Sequence, residues 1–290
     1  MRAAAWVGTI VLACAACHVY DPVDEIPHDE YADTATAMRA ILAGAYGTRV
    51  YAVGEYHPTR DMVAKSPLAR FTGEIIGLLE PYARHLVVEA WLDGACNASS
   101  TDRAADSLAA QVQAATGRPS AQRRDVAGLV ARTGALNIQA HGLPMTCIEQ
   151  SAMLDGRGRV DFWRLLVLVT EKLHDTALAL VEDARTERAV IVYGGALHND
   201  LYPRWPLEDI SYAHTLRKEL GGDGVLEIDL VVPEIVAHMN GIWHEPWFPL
   251  LGRAAPGRVI VWERGIDSYV IILPAQSEAV AKVARPAGLM

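Results

Sequence analysis

The chain has 290 residues, of which 51% are apolar and 21% charged, a balance typical of a globular protein with a sizeable core. The formal net charge of −9 at pH 7 comes without any cluster of Lys and Arg. It argues against a nucleic-acid partner, because phosphate binding requires a basic surface.

Residues 1–17 have the pattern of a signal peptide. Arg2 supplies a positive charge, and residues 3–13 form an apolar run far shorter than the ~20 residues that span a bilayer. The sequence Val11-Leu12-Ala13-Cys14 resembles the lipobox of bacterial lipoproteins, and Cys17 is a second candidate for lipidation. We expect export and a lipid anchor on the periplasmic or outer face of the cell envelope. An ordinary cleaved signal is the alternative.

Two further sequence features concern the four cysteines. The stretch from Cys14 to His18 matches the C-x-x-C-H pattern of covalent haem attachment, but a coincidence within an Ala- and Cys-rich signal is the simpler interpretation. Cys96 and Cys147 are the remaining two. Because thiols tend to pair in an oxidising compartment, we predict a disulfide between them.

The pattern after the signal predicts a linker over 18–32 and a single α/β domain over 33–290. Its sheet is expected to be mixed but mostly parallel, flanked by helices, with an antiparallel hairpin at the C-terminal edge. In chain order the pattern predicts a helix that begins at Asp33 and ends at Gly44 or Gly47, a strand over 50–53, a helix over 66–80 and a strand over 86–90. It then predicts two surface helices within 97–134, a strand over 136–140, a helix over 160–185, a strand over 189–193, a helix over 209–220, a strand over 225–232 and a hairpin over 259–273.

Acid and imidazole side chains follow four of these strands. Ligands of open α/β sheets bind beyond the C-terminal ends of the parallel strands, so we expect these side chains to share one site. The residues are Glu55 with His57, Glu89, His141 and His198.

Each of these residues also has a plain structural interpretation. A carboxylate within the apolar stretch around Glu89 is costly to bury unless it is paired, for example with Arg60 or Arg70. The other plain roles are an ion pair between Glu55 and His57, a turn at His141 and a helix cap at His198.

Neutral imidazole and carboxylate groups are natural ligands of Zn, Mn, Fe or Co, so His57, His198 and Glu89 are candidate metal ligands. Without a metal, His57 backed by a glutamate is a candidate general base. The chain contains no H-E-x-x-H, G-x-S-x-G, G-x-x-x-x-G-K-[ST] or G-x-G-x-x-G motif.

Two G-x-x-H motifs, Gly54 to His57 and Gly195 to His198, flank Glu89 in the sequence. Together they resemble the superfamily that contains ChaN-type haem-binding lipoproteins, the Tiki (TraB) metalloproteases and the erythromycin esterases. The resemblance covers about Val50 to Val232, and the Gly-Glu-x-His form of the first motif is most similar to the ChaN branch.

The three branches imply different chemistry. The Tiki branch implies a divalent-metal peptidase that uses His57, His198 and an acid, whereas the esterase branch implies metal-free base catalysis by His57 with Glu55 and Glu89. The ChaN branch implies haem whose iron is ligated by a tyrosine. The candidate haem-binding residues are Tyr56, Tyr202 and His141.

The sequence therefore predicts an extracytoplasmic hydrolase of an ester or amide bond in a small molecule or peptide. The alternative is a non-catalytic lipoprotein that binds haem or iron. The aromatic stretch Trp243-His244-Glu245-Pro246-Trp247 is left open as either a lid or a packed loop.

Overall fold

The computed structural model describes residues 26–58, 64–92, 122–183, 188–239 and 241–277. The predicted signal peptide and lipidation cysteines lie outside these ranges.

Cys147 is disulfide-bonded in the structure. Its predicted partner, Cys96, lies outside the described residues, so the pairing of these two cysteines stays a prediction.

The described residues form one mixed eight-stranded sheet, which confirms the predicted α/β fold. The strand order is β1-β7-β8-β6-β2-β5-β3-β4, and only the β1–β7 and β7–β8 pairs are antiparallel. The strands are β1 (Asp29–Tyr31), β2 (Val50–Glu55), β3 (Ala83–Leu92), β4 (Gln139–Pro144), β5 (Ala189–Gly195), β6 (Val225–Val231), β7 (Val259–Gly265) and β8 (Ser268–Ile272).

Helices cover both faces of the sheet, which explains why every residue of the central strands β2, β5 and β6 is buried. None of the helices in the described ranges is long and apolar enough to cross a bilayer. The α-helices are α1 (Thr34–Ala43), α2 (Pro67–Arg70), α3 (Ile76–Leu79), α4 (Gln122–Ala135), α5 (Cys147–Ala152), α6 (Phe162–Glu182), α7 (Tyr212–Leu220) and α8 (Pro233–Val236), and a π-helical turn (Phe71–Ile75) joins α2 to α3.

Two predicted elements differ from the structure. The predicted strand over 136–140 lies instead at Gln139–Pro144, because α4 continues to Ala135 and Asn137 then adopts a left-handed backbone conformation with φ of 54°. Residues Asp29–Tyr31, predicted as linker, pair with β7 as an antiparallel edge strand. The parallel strands β2 and β3 are not neighbours, since β5 lies between them.

The chain leaves the adjacent strands β2 and β5 towards opposite faces of the sheet. After β2 it enters α2 and α3, whose apolar side chains pack against Val53 on one face of β2. After β5 it enters α7, which packs on the other face with Ala52. In α/β sheets, ligands bind beyond the carboxyl ends of the strands at such a switch point.

The segment that follows β5 folds back over this second face. Asn199 donates to the carbonyl oxygen of Ala52 at 3.2 Å and to the Asp229 carboxylate at 3.0 Å. The backbone N–H of Leu201 donates to Glu227 at 3.0 Å. This return segment (residues 196–203) therefore lies directly on β2 and β6.

Glycine at position 54 makes this close approach possible. A Cβ atom at Gly54 would lie 2.4 Å from the side-chain oxygens of both Asn199 and Asp229. We expect Gly54→Ala to lower the free energy of unfolding by about 1–3 kcal/mol, as overpacking of a core does. Urea denaturation measures the effect.

Gly128→Ala is the matched control, because Gly128 lies within α4 with open space around its Cβ position. Alanine in a helix is favoured over glycine by about 0.5–1 kcal/mol, so this variant should be neutral or slightly stabilised. Equal stability of the two variants would contradict the packing of the return segment against Gly54.

Candidate active site

The carboxylate of Glu55 lies at the end of β2 and is buried, with 2% of the residue exposed. One of its oxygens lies 2.6 Å from Nδ1 of His57, and the other accepts a hydrogen bond from the Tyr193 hydroxyl. Because a carboxylate only accepts hydrogen bonds, the His57 ring donates through Nδ1. In the neutral ring, Nε2 then carries the lone pair.

The Tyr193 hydroxyl always acts as the hydrogen-bond donor to Glu55, because it keeps its proton. Burial, followed by the negative charge of Glu55, raises the pKa of Tyr193 well above its usual value. Its hydroxyl therefore stays protonated and donates from β5 to one oxygen of Glu55, while His57, in the loop after β2, binds the other oxygen.

Glu89 approaches the other side of the His57 ring. Its Oε2 lies 3.6 Å from His57 Nε2, an ion-pair distance, and accepts a hydrogen bond of 2.7 Å from the backbone N–H of Gly195. The suggested partner Arg70 binds Glu74 instead, and Arg60 lies outside the described residues. The end of β5 thus holds Glu89 against His57.

Two glycines at the end of β5 make room for these side chains. A Cβ atom at Gly194 would lie 3.0 Å from Oε2 of Glu89, and one at Gly195 would lie 2.7 Å from Nε2 of His57. Gly195, the first residue of the second predicted motif, and Gly194 before it therefore leave space for the imidazole and the carboxylate.

His198, the last residue of that motif, is buried on the α6 side of the return segment. Its Nδ1 lies 2.8 Å from the hydroxyl of Thr170 and 3.2 Å from the carbonyl oxygen of Ile210. A carbonyl only accepts, so Nδ1 carries the proton and Nε2 the lone pair of the neutral ring. Such a fixed tautomer is typical of an imidazole that acts through Nε2.

The predicted metal ligands His57, His198 and Glu89 do not form a complete set in the structure. Within the described ranges, no group of three or more His, Cys, Asp or Glu side chains is arranged to hold a metal ion. His57 and Glu89 approach each other, while His198 lies against Thr170.

The three predicted haem-binding residues have separate surroundings. His141 lies within β4 rather than after it, and its Nε2 is 3.0 Å from Nδ1 of His85. The Tyr202 hydroxyl donates to the carbonyl oxygen of Ile266 at 2.8 Å. Tyr56 packs against the buried Trp247, which makes the end of the aromatic stretch over 243–247 part of a packed loop.

A second group of buried carboxylates lies beneath the return segment, and its residues were not among the candidates predicted from the sequence. Glu227 accepts hydrogen bonds from Ser268 at 2.6 Å and Leu201 at 3.0 Å, and Arg264 lies 3.7 Å from its other oxygen. Burial raises the pKa of Glu227 to about 7. Burial and the charge of Glu227 hold the pKa of the neighbouring Asp229 well above its usual value. Two acidic residues in the otherwise apolar stretch over 225–232 were the signal for this group.

We expect Tyr193→Phe to lower the free energy of unfolding by about 1–3 kcal/mol, because the buried Glu55 carboxylate loses a donor. Tyr212→Phe is the control, since Tyr212 is equally buried but its hydroxyl makes only a long 3.4 Å bond to a carbonyl oxygen. Urea denaturation compares the two variants. A Tyr193 variant no less stable than the control would contradict a stabilising bond to Glu55.

The raised pKa of Glu227 predicts a dependence of stability on pH. Between its usual value of 4.5 and about 7, the folded chain holds a proton that the unfolded chain releases, so stability falls as pH rises through this window. The loss is on the order of 3 kcal/mol. We expect Glu227→Gln to gain stability relative to the wild type as pH rises from 4.5 to 7. The same substitution at the exposed Glu263 is the control, and a Glu227→Gln difference that does not vary with pH would contradict the assignment.

Comparisons with known proteins identify no family. No protein-family model matches the chain, and no curated protein matches it. Among solved structures, the type III effector HopBA1 is similar, with 14% identity, a TM-score of 0.39 and an alignment that covers 89% of this chain and 100% of that chain. At this level the likeness identifies neither a family nor a function.

Proposed function

We propose that the protein hydrolyses an ester or amide bond, with His57 as the general base. The observation that carries this proposal is the position of the His57 ring. It is held through Nδ1 by the buried Glu55 and lies beside Glu89, at the switch point of the sheet. A carboxylate that fixes the tautomer of a histidine is a recurring arrangement in hydrolases.

In the proposed reaction, Nε2 of His57 takes a proton from a water molecule whose oxygen attacks the carbonyl carbon of the substrate. The ionised Glu55 stabilises the imidazolium that forms. The tetrahedral intermediate then collapses, and the leaving group departs with the proton from Nε2. Glu89, 3.6 Å from Nε2, is placed to orient the attacking water.

The resemblance to the Tiki branch implies a second version of the proposal, in which a divalent metal such as Zn, Mn or Co takes part in the hydrolysis. Because no three-ligand group occurs among the described residues, the steps above use only His57 and its two carboxylates. Elemental analysis of the purified protein tests the metal-dependent version directly.

Export and lipid anchoring complete the proposal. They rest on the apolar run and Cys14 or Cys17 in residues 1–17, which lie outside the described part of the chain. Mass spectrometry of the protein from a bacterial envelope tests them, since a lipidated N-terminal cysteine adds a diacylglyceryl group. The resemblance to the ChaN, Tiki and erythromycin esterase superfamily stays a prediction.

Hydrolysis of p-nitrophenyl esters and peptide anilides tests the catalytic role of His57. We expect His57→Ala to lower kcat/KM about 10²- to 10⁴-fold, the usual contribution of a general base. His174→Ala is the control, because His174 lies on α6 and pairs with Glu219 of α7 rather than with Glu55 or Glu89. Glu55→Gln should also reduce the rate, since it removes the charge that stabilises the imidazolium.

Full activity of His57→Ala would contradict the proposal. An absorbance scan of the same preparations tests the remaining alternative, a lipoprotein that binds haem without catalysis. A Soret band with haem at one equivalent, and no turnover of any substrate, would favour the haem-binding lipoprotein.

A further inference from the structure

His85 and His141 form a pair of imidazoles on the neighbouring strands β3 and β4. Nδ1 of His85 lies 3.0 Å from Nε2 of His141, and the ring centroids are 5.2 Å apart with the planes tilted by 40°. In the parallel register, His141 lies opposite Val87. Since side chains alternate along a strand, His85 and Val87 point to the same face, which is the face covered by α6.

The surroundings of the pair keep both rings neutral. Burial lowers the pKa of His85 and of His141, so both imidazoles have a lone pair at neutral pH. The negative charge of Asp183 acts on the pKa of His85 in the opposite direction, and the positive charge of Arg84 acts in the same direction as burial. Asp183 is the C-cap of α6, and the C-terminal end of a helix carries partial negative charge.

We propose that His85 Nδ1 and His141 Nε2 together bind one divalent ion of the late first-row metals, with Ni²⁺, Cu²⁺ and Zn²⁺ as the class. With metal–nitrogen distances of about 2.0–2.1 Å, two ligating nitrogens lie ~2.9 Å apart at a right angle and ~3.4 Å apart in a tetrahedron. The observed 3.0 Å falls between these limits. The centroid distance of 5.2 Å shows that the two nitrogens face each other almost in line, as in a hydrogen bond, so both rings turn on binding until their lone pairs converge on the ion.

Binding requires no redox step and no net loss of a proton. In the metal-free protein one ring donates its N–H to the lone pair of the other. When the ion binds, the donor ring moves this proton to its second nitrogen, and both facing nitrogens become ligands. Water completes the coordination, because the described residues offer no third side chain in a ligand group.

This site is separate from the candidate active site. Glu89 follows His85 on the same face of β3, but four residues further along, which is ~13 Å in an extended strand. The proposed site uses neither His57 nor Glu89, so its failure and that of the proposed hydrolase are independent.

Isothermal titration of the tag-free protein with NiCl₂ at neutral pH tests the site. We expect one ion per chain in the wild type. We expect His85→Ala and His141→Ala each to weaken nickel binding by about 10- to 100-fold or more. Loss of a residue that only supports a metal ligand already costs this much, and these residues are the ligands themselves. His174→Ala and His57→Ala are the controls and should keep wild-type affinity.

Thermal unfolding of each variant checks that it is folded, and His141→Gln replaces His141→Ala if the latter is not. Nickel should raise the unfolding midpoint of the wild type and leave that of the His85 variant unchanged. Absence of nickel binding in the wild type would overturn the proposal. So would a nickel affinity that the loss of either His85 or His141 leaves unchanged, or binding that is lost in His57→Ala.

Discussion

A buried carboxylate at the end of a central strand governs the construction of the candidate site. Glu55 is almost completely enclosed, and an ionised group in that position is tolerated only when hydrogen-bond donors satisfy it. Tyr193 supplies one donor from β5 and His57 supplies the other from the loop after β2. The requirement to satisfy Glu55 thus fixes the tautomer and the orientation of His57, and it couples the two strands that form the switch point.

Small residues supply the space that this arrangement needs. Gly194 and Gly195 end β5 without side chains, so Glu89 and His57 can approach across the sheet edge. Gly54, in register with Gly194, makes room on the same face of the sheet for Asn199 and the return segment, which lie directly on the strand. The first glycine of each G-x-x-H motif is therefore required by packing, Gly54 against Asn199 and Gly195 against His57.

The rule that ligands bind beyond the C-terminal ends of parallel strands predicted the grouping of His57 with Glu55 and Glu89. It could do so because it depends on local patterns, namely apolar strands followed by polar residues. It failed for His141, since the left-handed turn at Asn137 moved β4 along the chain and placed this histidine inside the strand. The role of Tyr193 could not be read from the sequence, because it depends on β2 and β5 being neighbours. Strand order is set by packing between distant segments rather than by local propensity.

The central claim is that Glu55 holds His57 with its proton on Nδ1, so that Nε2 acts as the base. Nuclear magnetic resonance of protein labelled with ¹⁵N-histidine tests this most directly, with the His57 signals assigned by their loss in His57→Ala. The account predicts a protonated Nδ1 and an unprotonated Nε2 across the pH range of hydrolysis, with the Nδ1 proton signal shifted in Glu55→Gln. A His57 ring protonated only on Nε2, or one unaffected by Glu55→Gln, would contradict it.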